Sequence, residues 1–187
     1  VGSEMCIRDR LVVQAFTILR KKYLWSAELY LAGAKESDIR DALRERQIRV
    51  EEVDWQKIHL LGDLGSEKLT DYYNLCDVFC MPSYFEAYGL VFAEALTYGL
   101  PCIGRDKFAM SEFIEDGCTG RLISGEDAEK LALDLWEVLR DPKYREEVER
   151  RREWYLREYS WDKVAQRICS VMEKNERDKD QYRSAGV

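Results

Sequence analysis

Residues 77–101 read DVFCMPSYFEAYGLVFAEALTYGLP, and this stretch decides the fold. Val78, Phe79, Cys80 and Met81 form an unbroken apolar run, ended by Pro82 and Ser83. A strand apolar on both faces belongs in the buried middle of a parallel sheet. From Gly89 to about Tyr98 the pattern predicts a helix, made apolar nearly all round by Leu90, Val91, Phe92, Ala93, Ala95 and Leu96. Such a helix is expected to be buried, and Glu94 in its second turn is then a carboxylate that needs hydrogen-bond donors around it. Glu86 stands eight positions earlier, in the loop just outside the strand's carboxyl end. In open α/β sheets that crevice is where ligands bind. Gly89 allows close backbone approach, and the N–H groups of a helix start favour phosphate. Strand, loop and helix together read as a phosphate site flanked by two carboxylates that accept hydrogen bonds from hydroxyl groups, which suits a nucleotide sugar.

The same alternation continues on both sides. Upstream, Leu11, Val12, Ala15, Phe16 and Leu19 recur at helical spacing up to the basic end Arg20-Lys21-Lys22. Residues 28–33 form a short strand with Gly33 at its exit, and a charged helix over 37–46 carries Ile39 and Leu43 as its inner stripe. Ile58-His59-Leu60-Leu61-Gly62 is the next strand, and Ser66 reads as the N-cap of a helix reaching about Cys76. Downstream, Pro101 introduces a strand at Cys102-Ile103-Gly104, and 110–115 is a helical turn. Gly117 and Gly120 bracket a turn before a last strand at Arg121-Leu122-Ile123. Three helices close the chain. The first, over 128–139, has Leu131, Leu135, Val138 and Leu139 inward; Pro142 opens the second. Ser160 caps the third, which carries Val164, Ile168, Val171 and Met172.

Strand alternating with helix indicates an α/β fold, a Rossmann-like doubly wound parallel sheet with helices at the carboxyl end. The first ten residues, VGSEMCIRDR, do not read like the rest. They resemble a translated adaptor scar and are set aside as non-native, the alternative being that Met5-Cys6-Ile7 is the remnant of a strand. One nucleotide-sugar-binding domain is then expected over 11–172, and a charged frayed tail over 173–187.

At 187 residues the chain fits one domain with a proper core. A net charge of -7 argues against general nucleic-acid binding. No apolar run approaches bilayer length, which excludes a transmembrane segment and leaves peripheral association open. Cys6, Cys76, Cys80, Cys102, Cys118 and Cys169 show no zinc-type spacing and read as reduced thiols of a cytoplasmic protein. His59, the single histidine, reads as a strand-edge residue rather than a ligand or base. No Asp-x-Asp pair occurs outside Asp178-Lys179-Asp180, so ligand binding is expected to need no metal. Arg105 and Lys107 follow a strand end from which a phosphate could be reached; the alternative is a solvated pair in a loop.

Pro82-Ser83-Tyr84-Phe85-Glu86-Ala87-Tyr88-Gly89-Leu90 followed by Glu94 resembles the E-x7-E signature of retaining glycosyltransferases of family 4, also called group 1, in the GT-B fold. The resemblance runs from about Leu11 to Met172. It implies that Glu86 is the catalytic, sugar-side carboxylate and that Glu94 holds the ribose diol of the donor. Ala87 and Tyr88, with Gly89, Leu90 and Val91 as the phosphate cradle, would bind the donor through backbone amides. The same resemblance puts nucleobase contacts in the loop containing Gly62 and Leu64. Gly99-Leu100-Pro101 and the stretch from Glu112 to Gly120 also fit the family pattern. Two departures stand out: Tyr88, where Phe is usual, and Ala109-Met110, which replace the usual Gly-Gly before Glu112.

The parent protein implied is an enzyme without cofactor that moves a sugar from a nucleoside diphosphate sugar to an acceptor hydroxyl with retention. Its acceptor would be bound by an amino-terminal domain outside this chain. The family's first strand, followed by a loop bearing an Arg and a Lys, would fall where the first ten residues stand; Arg8 and Arg10 are not assigned those roles. That strand belongs between 29–32 and 78–81, so a flaw at the sheet's centre is expected unless residues 4–8 fill the slot. A GT-B-like nucleotide-sugar epimerase and a non-catalytic nucleotide-binding module are the alternative readings.

Overall fold

The computed structural model describes residues 3–85 and 88–184. Its first element, α1 (Ser3–Lys22), is the pivot of the core. Leu11, Ala15 and Leu19, one turn apart, pack with Ile103, Ile123 and Leu131. Val12, Val13 and Phe16, on the adjoining face, pack with Leu31, Ile39, Leu43 and Ile58. A helix apolar on two adjoining faces can serve two partners at once, and here the partners are two separate sheets.

The first sheet pairs β1 (Leu29–Ala32) with β2 (Ile58–Gly62) in parallel, Leu29 opposite Ile58, with a register shift after Leu31. Between them lie α2 (Glu36–Glu45), whose Ile39, Ala42 and Leu43 are buried, and two short 3-10 turns at Val50–Glu52 and Trp55–Lys57. The second sheet has the order β3 (Phe79–Cys80), β4 (Cys102–Arg105), β5 (Gly120–Ile123), again parallel throughout. β4 and β5 approach so closely at Gly120 that a side chain there would meet the Cys102 carbonyl oxygen at 1.8 Å. Glycine is required at that contact.

α3 (Ser66–Leu75), α4 (Leu90–Thr97), α5 (Met110–Phe113) and α7 (Lys143–Glu158) form the second helical layer, joined through Tyr73, Phe92, Leu96, Met110, Val148 and Tyr155. α6 (Ala128–Arg140) packs beside α1 through Leu131 and Leu135. The Asp127 side chain caps α6 by accepting from the Glu129 and Lys130 amides. α8 (Trp161–Ser184) is preceded by Ser160, whose hydroxyl accepts from the Lys163 amide at 3.2 Å. The helix runs on through Ser184, past the point where the sequence suggests fraying. At α3 the cap position falls on Gly65 rather than Ser66, which is the first helical residue.

The largest departure concerns the centre. β3, expected to be the buried middle of a sheet, is a two-residue strand at a sheet edge, and Val78 to Met81 are only half-buried. Among the described residues no strand lies between β1 and β3. A cleft of about 620 Å³ takes that place, walled by Leu29, Tyr30, Leu31, Val78, Phe79 and Cys80. Residues 3–10 are helical, so 4–8 do not fill the slot and Met5-Cys6-Ile7 is not a strand remnant. The expected flaw is present.

Candidate functional site

Parallel pairing puts the exits of β3, β4 and β5 on one edge of their sheet, where the loop toward α4 begins. β3 ends in buried Pro82 and Ser83. Tyr84, Phe85 and Tyr88 follow, each more than half exposed. Glu86 and Ala87 lie outside the described residues. Gly89 then takes a left-handed conformation, φ 72°, and sits buried as the N-cap of α4. Few residues other than glycine adopt that backbone without cost. The first bond of the turn runs from the Phe92 amide to the Gly89 carbonyl at 2.9 Å, so the amides of Leu90 and Val91 precede the helix's own hydrogen-bond ladder. The expected phosphate cradle therefore has the backbone of a helix start at a sheet's carboxyl edge.

Glu94 is on the helix as expected, but in a different setting. α4 buries Phe92, Ala93, Ala95 and Leu96, while Glu94 and Leu90 are exposed. The carboxylate is thus hydrated, not desolvated. The physical reason is that the apolar surface of α4 is only partly covered: Leu90 is 55% exposed, and Val91, though packed at the rim of the core, also lines the cleft. Glu94 accepts a hydrogen bond from the Tyr73 hydroxyl of α3 at 3.2 Å. The Tyr73 ring is locked between Tyr98, stacked at 5.3 Å, and Phe79, edge-on at 6.1 Å. Burial, followed by the Glu94 charge, pushes the Tyr73 phenol well up, so it stays a donor across the physiological range. One carboxylate oxygen is oriented from below and the group remains open to a ligand.

Arg105, offered by the sequence as a phosphate-reaching cation or a solvated loop residue, is neither free nor solvated. It is 5% exposed and closes β4. Its Nε donates to the Pro82 carbonyl at 3.0 Å and its Nη1 to the Gly125 carbonyl at 2.6 Å. Glu126 approaches it at 4.0 Å and pairs at 2.9 Å with Arg10, itself 6% exposed. Tyr84 lies over both Arg105, at 5.5 Å, and Lys107, at 5.9 Å. Phe108, with φ 54°, holds its ring edge-on to Phe85 at 5.0 Å. Gly62 ends β2 with φ 62° and accepts from the Gly33 amide at 2.8 Å, with Leu64 half-buried beyond it.

Sequence reasoning missed three members of this neighbourhood. Tyr73 could have been found, because it stands one turn from Leu69 on the inward face of α3. Glu126 carried no signal beyond following Gly125, and Arg10 had been set aside with the residues around it. His59 does sit on a strand, where it stacks on Tyr30 at 4.5 Å and pairs with Glu28 at 2.9 Å. Cys76, Cys80, Cys102, Cys118 and Cys169 are free thiols, with burial pushing Cys80 up to about 12. Among the described residues no helix is long and apolar enough to cross a membrane. No cluster of three or more potential ligands is arranged to hold a metal ion among those residues.

The same fold occurs in solved glycosyltransferases. Sucrose-phosphate synthase of Thermosynechococcus elongatus matches 92% of this chain and 44% of its own at TM-score 0.71 and 22% identity. A pneumococcal O-GlcNAc transferase, solved with UDP and GlcNAc, matches 87% of this chain and 33% of its own at TM-score 0.66 and 24% identity. These show the fold, the α/β architecture of GT-B proteins. The chain belongs to the family glycosyl transferases group 1, whose profile matches residues 10–154. Among curated relatives, a D-inositol 3-phosphate glycosyltransferase of Kribbella flavida is 32% identical over 52% of this chain and 23% of its own length. A glycosyltransferase of Methanocaldococcus jannaschii, not further characterised, is 28% identical over 78% of this chain and 37% of its own length. The chain thus spans about a quarter to a third of these relatives.

Proposed function

We propose that this chain is the donor-binding part of a retaining glycosyltransferase, one that moves a sugar from a nucleoside diphosphate sugar to an acceptor hydroxyl. The observation that carries the reading is the pairing of two features on α4. Its left-handed Gly89 start faces the carboxyl edge of the sheet, and Glu94 stands in its second turn, oriented by Tyr73 and open to solvent. Five residues, or ~7.5 Å of helix rise, separate the two. That is a scale on which one nucleotide can be held at both its phosphates and its ribose.

In this reading the amides at the α4 start receive the diphosphate, whose charge grows as the glycosidic bond breaks, and the helix dipole favours that growth. Glu94 accepts from the ribose hydroxyls, and Glu86 from the hydroxyls of the sugar. Because fixed dipoles already face the leaving group, no divalent cation is required. Gly62 and Leu64 border the base. The solved relative that holds UDP and GlcNAc supports a nucleotide-sugar ligand here as well. The acceptor and the rest of the catalytic apparatus belong to a larger parent protein.

A ligand-observed magnetic-resonance panel of UDP, GDP and ADP sugars in the presence of chelator tests the reading. One nucleoside diphosphate should bind saturably without metal. Binding that disappears on chelation from well-folded protein would contradict the phosphate cradle.

A further inference from the structure

We propose that Arg105 is a positioning residue: it fixes the start of the loop that leads from β3 toward Gly89, at Pro82 to Tyr84, against the turn leaving β5. The proposal rests on the donor-binding reading above for its functional meaning, but not for its geometry.

β4 is the central strand of its sheet, with β3 on one side and β5 on the other. The side chain of its last residue is therefore the one able to reach both neighbouring exits. Arg105 does so with separate N–H groups, one to the Pro82 carbonyl beyond β3 and one to the Gly125 carbonyl beyond β5. A planar guanidinium presents its donors in a fixed fork, so two simultaneous bonds fix the separation and orientation of the two carbonyls. Proline has no N–H, so at Pro82 the loop cannot be tied by its own backbone donor and its carbonyl is the available handle. Tyr84, two residues on, covers the guanidinium face at 5.5 Å. The main-chain N–H of Arg105 in turn donates to Met110 Sδ at 3.3 Å, which anchors the strand end to α5.

A buried cation is retained only where its donors are satisfied. Here two donors meet carbonyl oxygens and the charge faces Glu126 at 4.0 Å, with only 5% of the residue exposed. Arg105 thus acts through the loop rather than by touching the diphosphate. Lysine, a single point charge, could not span both carbonyls.

Hydrogen exchange read by mass spectrometry on the purified chain, with the Arg105→Lys and Arg105→Met variants, tests this directly. Amides in peptides covering 81–90 should exchange at least about tenfold faster in both variants, the factor expected for losing a charge-assisted hydrogen bond. Peptides from α2 and β2 should be unchanged. Affinities for UDP, GDP and ADP, measured in parallel, should fall in both variants by a similar factor for whichever of the three the unmodified chain binds. Unchanged exchange over 81–90 would overturn the proposal, and so would acceleration spread evenly over the whole chain. Protection fully retained in Arg105→Lys would also overturn it, because charge alone would then suffice. If the exchange pattern holds but the unmodified chain binds none of UDP, GDP and ADP, the clamp stands and the donor-binding reading fails.

Discussion

At the scale of single residues, the decisive contact is Tyr73 to Glu94. Glu94→Gln keeps the shape and removes the charge, and a charge-assisted bond to a ribose hydroxyl contributes about 1.5–3 kcal/mol. Affinity for the preferred nucleoside diphosphate should drop about tenfold or more, and the gap to its 2′-deoxy analogue should narrow. An unchanged ribose preference by titration calorimetry would contradict the assignment. Tyr73→Phe should act in the same direction and more weakly, roughly two- to tenfold, since it removes one neutral donor. Glu28 gives a separate, pH-dependent expectation. Hydrogen bonds from Lys57 and then His59 pull its carboxyl down from 4.5 to about 2. A carboxylate lowered in the folded state stabilises above its unfolded value, and that contribution is lost as pH falls from about 4.5 toward about 2. The groups are exposed, so the effect should be small and shrink with salt. Urea midpoints across that range should depend less steeply on pH in Glu28→Gln; an identical slope would contradict it.

At the scale of elements, most of the chain was legible. Residues 77–101 show a strand and a helix at almost the bounds observed, because an apolar run ended by Pro and a glycine-started helix are local signals. What could not be read was what each element faces. Nearly continuous apolar composition in α4 suggested burial all round, yet Glu94 and Leu90 face water and Val91 faces the cleft. Likewise the apolar run at β3 said strand correctly and buried centre incorrectly, since burial depends on a neighbour that no local window contains. Arg105 is singled out by the sequence, but as a phosphate contact or a solvated residue; that it is buried depends on flanking carbonyls no local window contains. The helix start itself can be tested. Gly89→Ala puts a side chain at φ 72°, at a cost of about 1–2 kcal/mol. The α4 start should shift and diphosphate affinity should fall, with only a modest drop in the thermal midpoint. Full affinity in this variant would contradict a backbone cradle.

At the scale of the whole molecule, the two parallel sheets are held together chiefly by α1, which packs on both, while a cleft of about 620 Å³ separates β1 from β3. Apolar walls and open strand edges are an aggregation hazard. Sedimentation velocity should therefore show concentration-dependent self-association and the chain should bind apolar dyes; a monodisperse monomer without dye binding would contradict this. The family profile covers 10–154, but the chain spans about a quarter to a third of the relatives' length. Transfer needs an acceptor hydroxyl positioned against the anomeric carbon, and positioning can account for ~7–11 kcal/mol of a barrier. The chain by itself is expected to bind donor without turning it over. The most direct test of the account is equilibrium binding of UDP, GDP and ADP to the purified chain, in chelator, beside the Glu94→Gln variant. The account predicts saturable binding of one of them, weakened at least about tenfold by the substitution; no binding of any of the three to folded protein, or equal binding to both proteins, would contradict it.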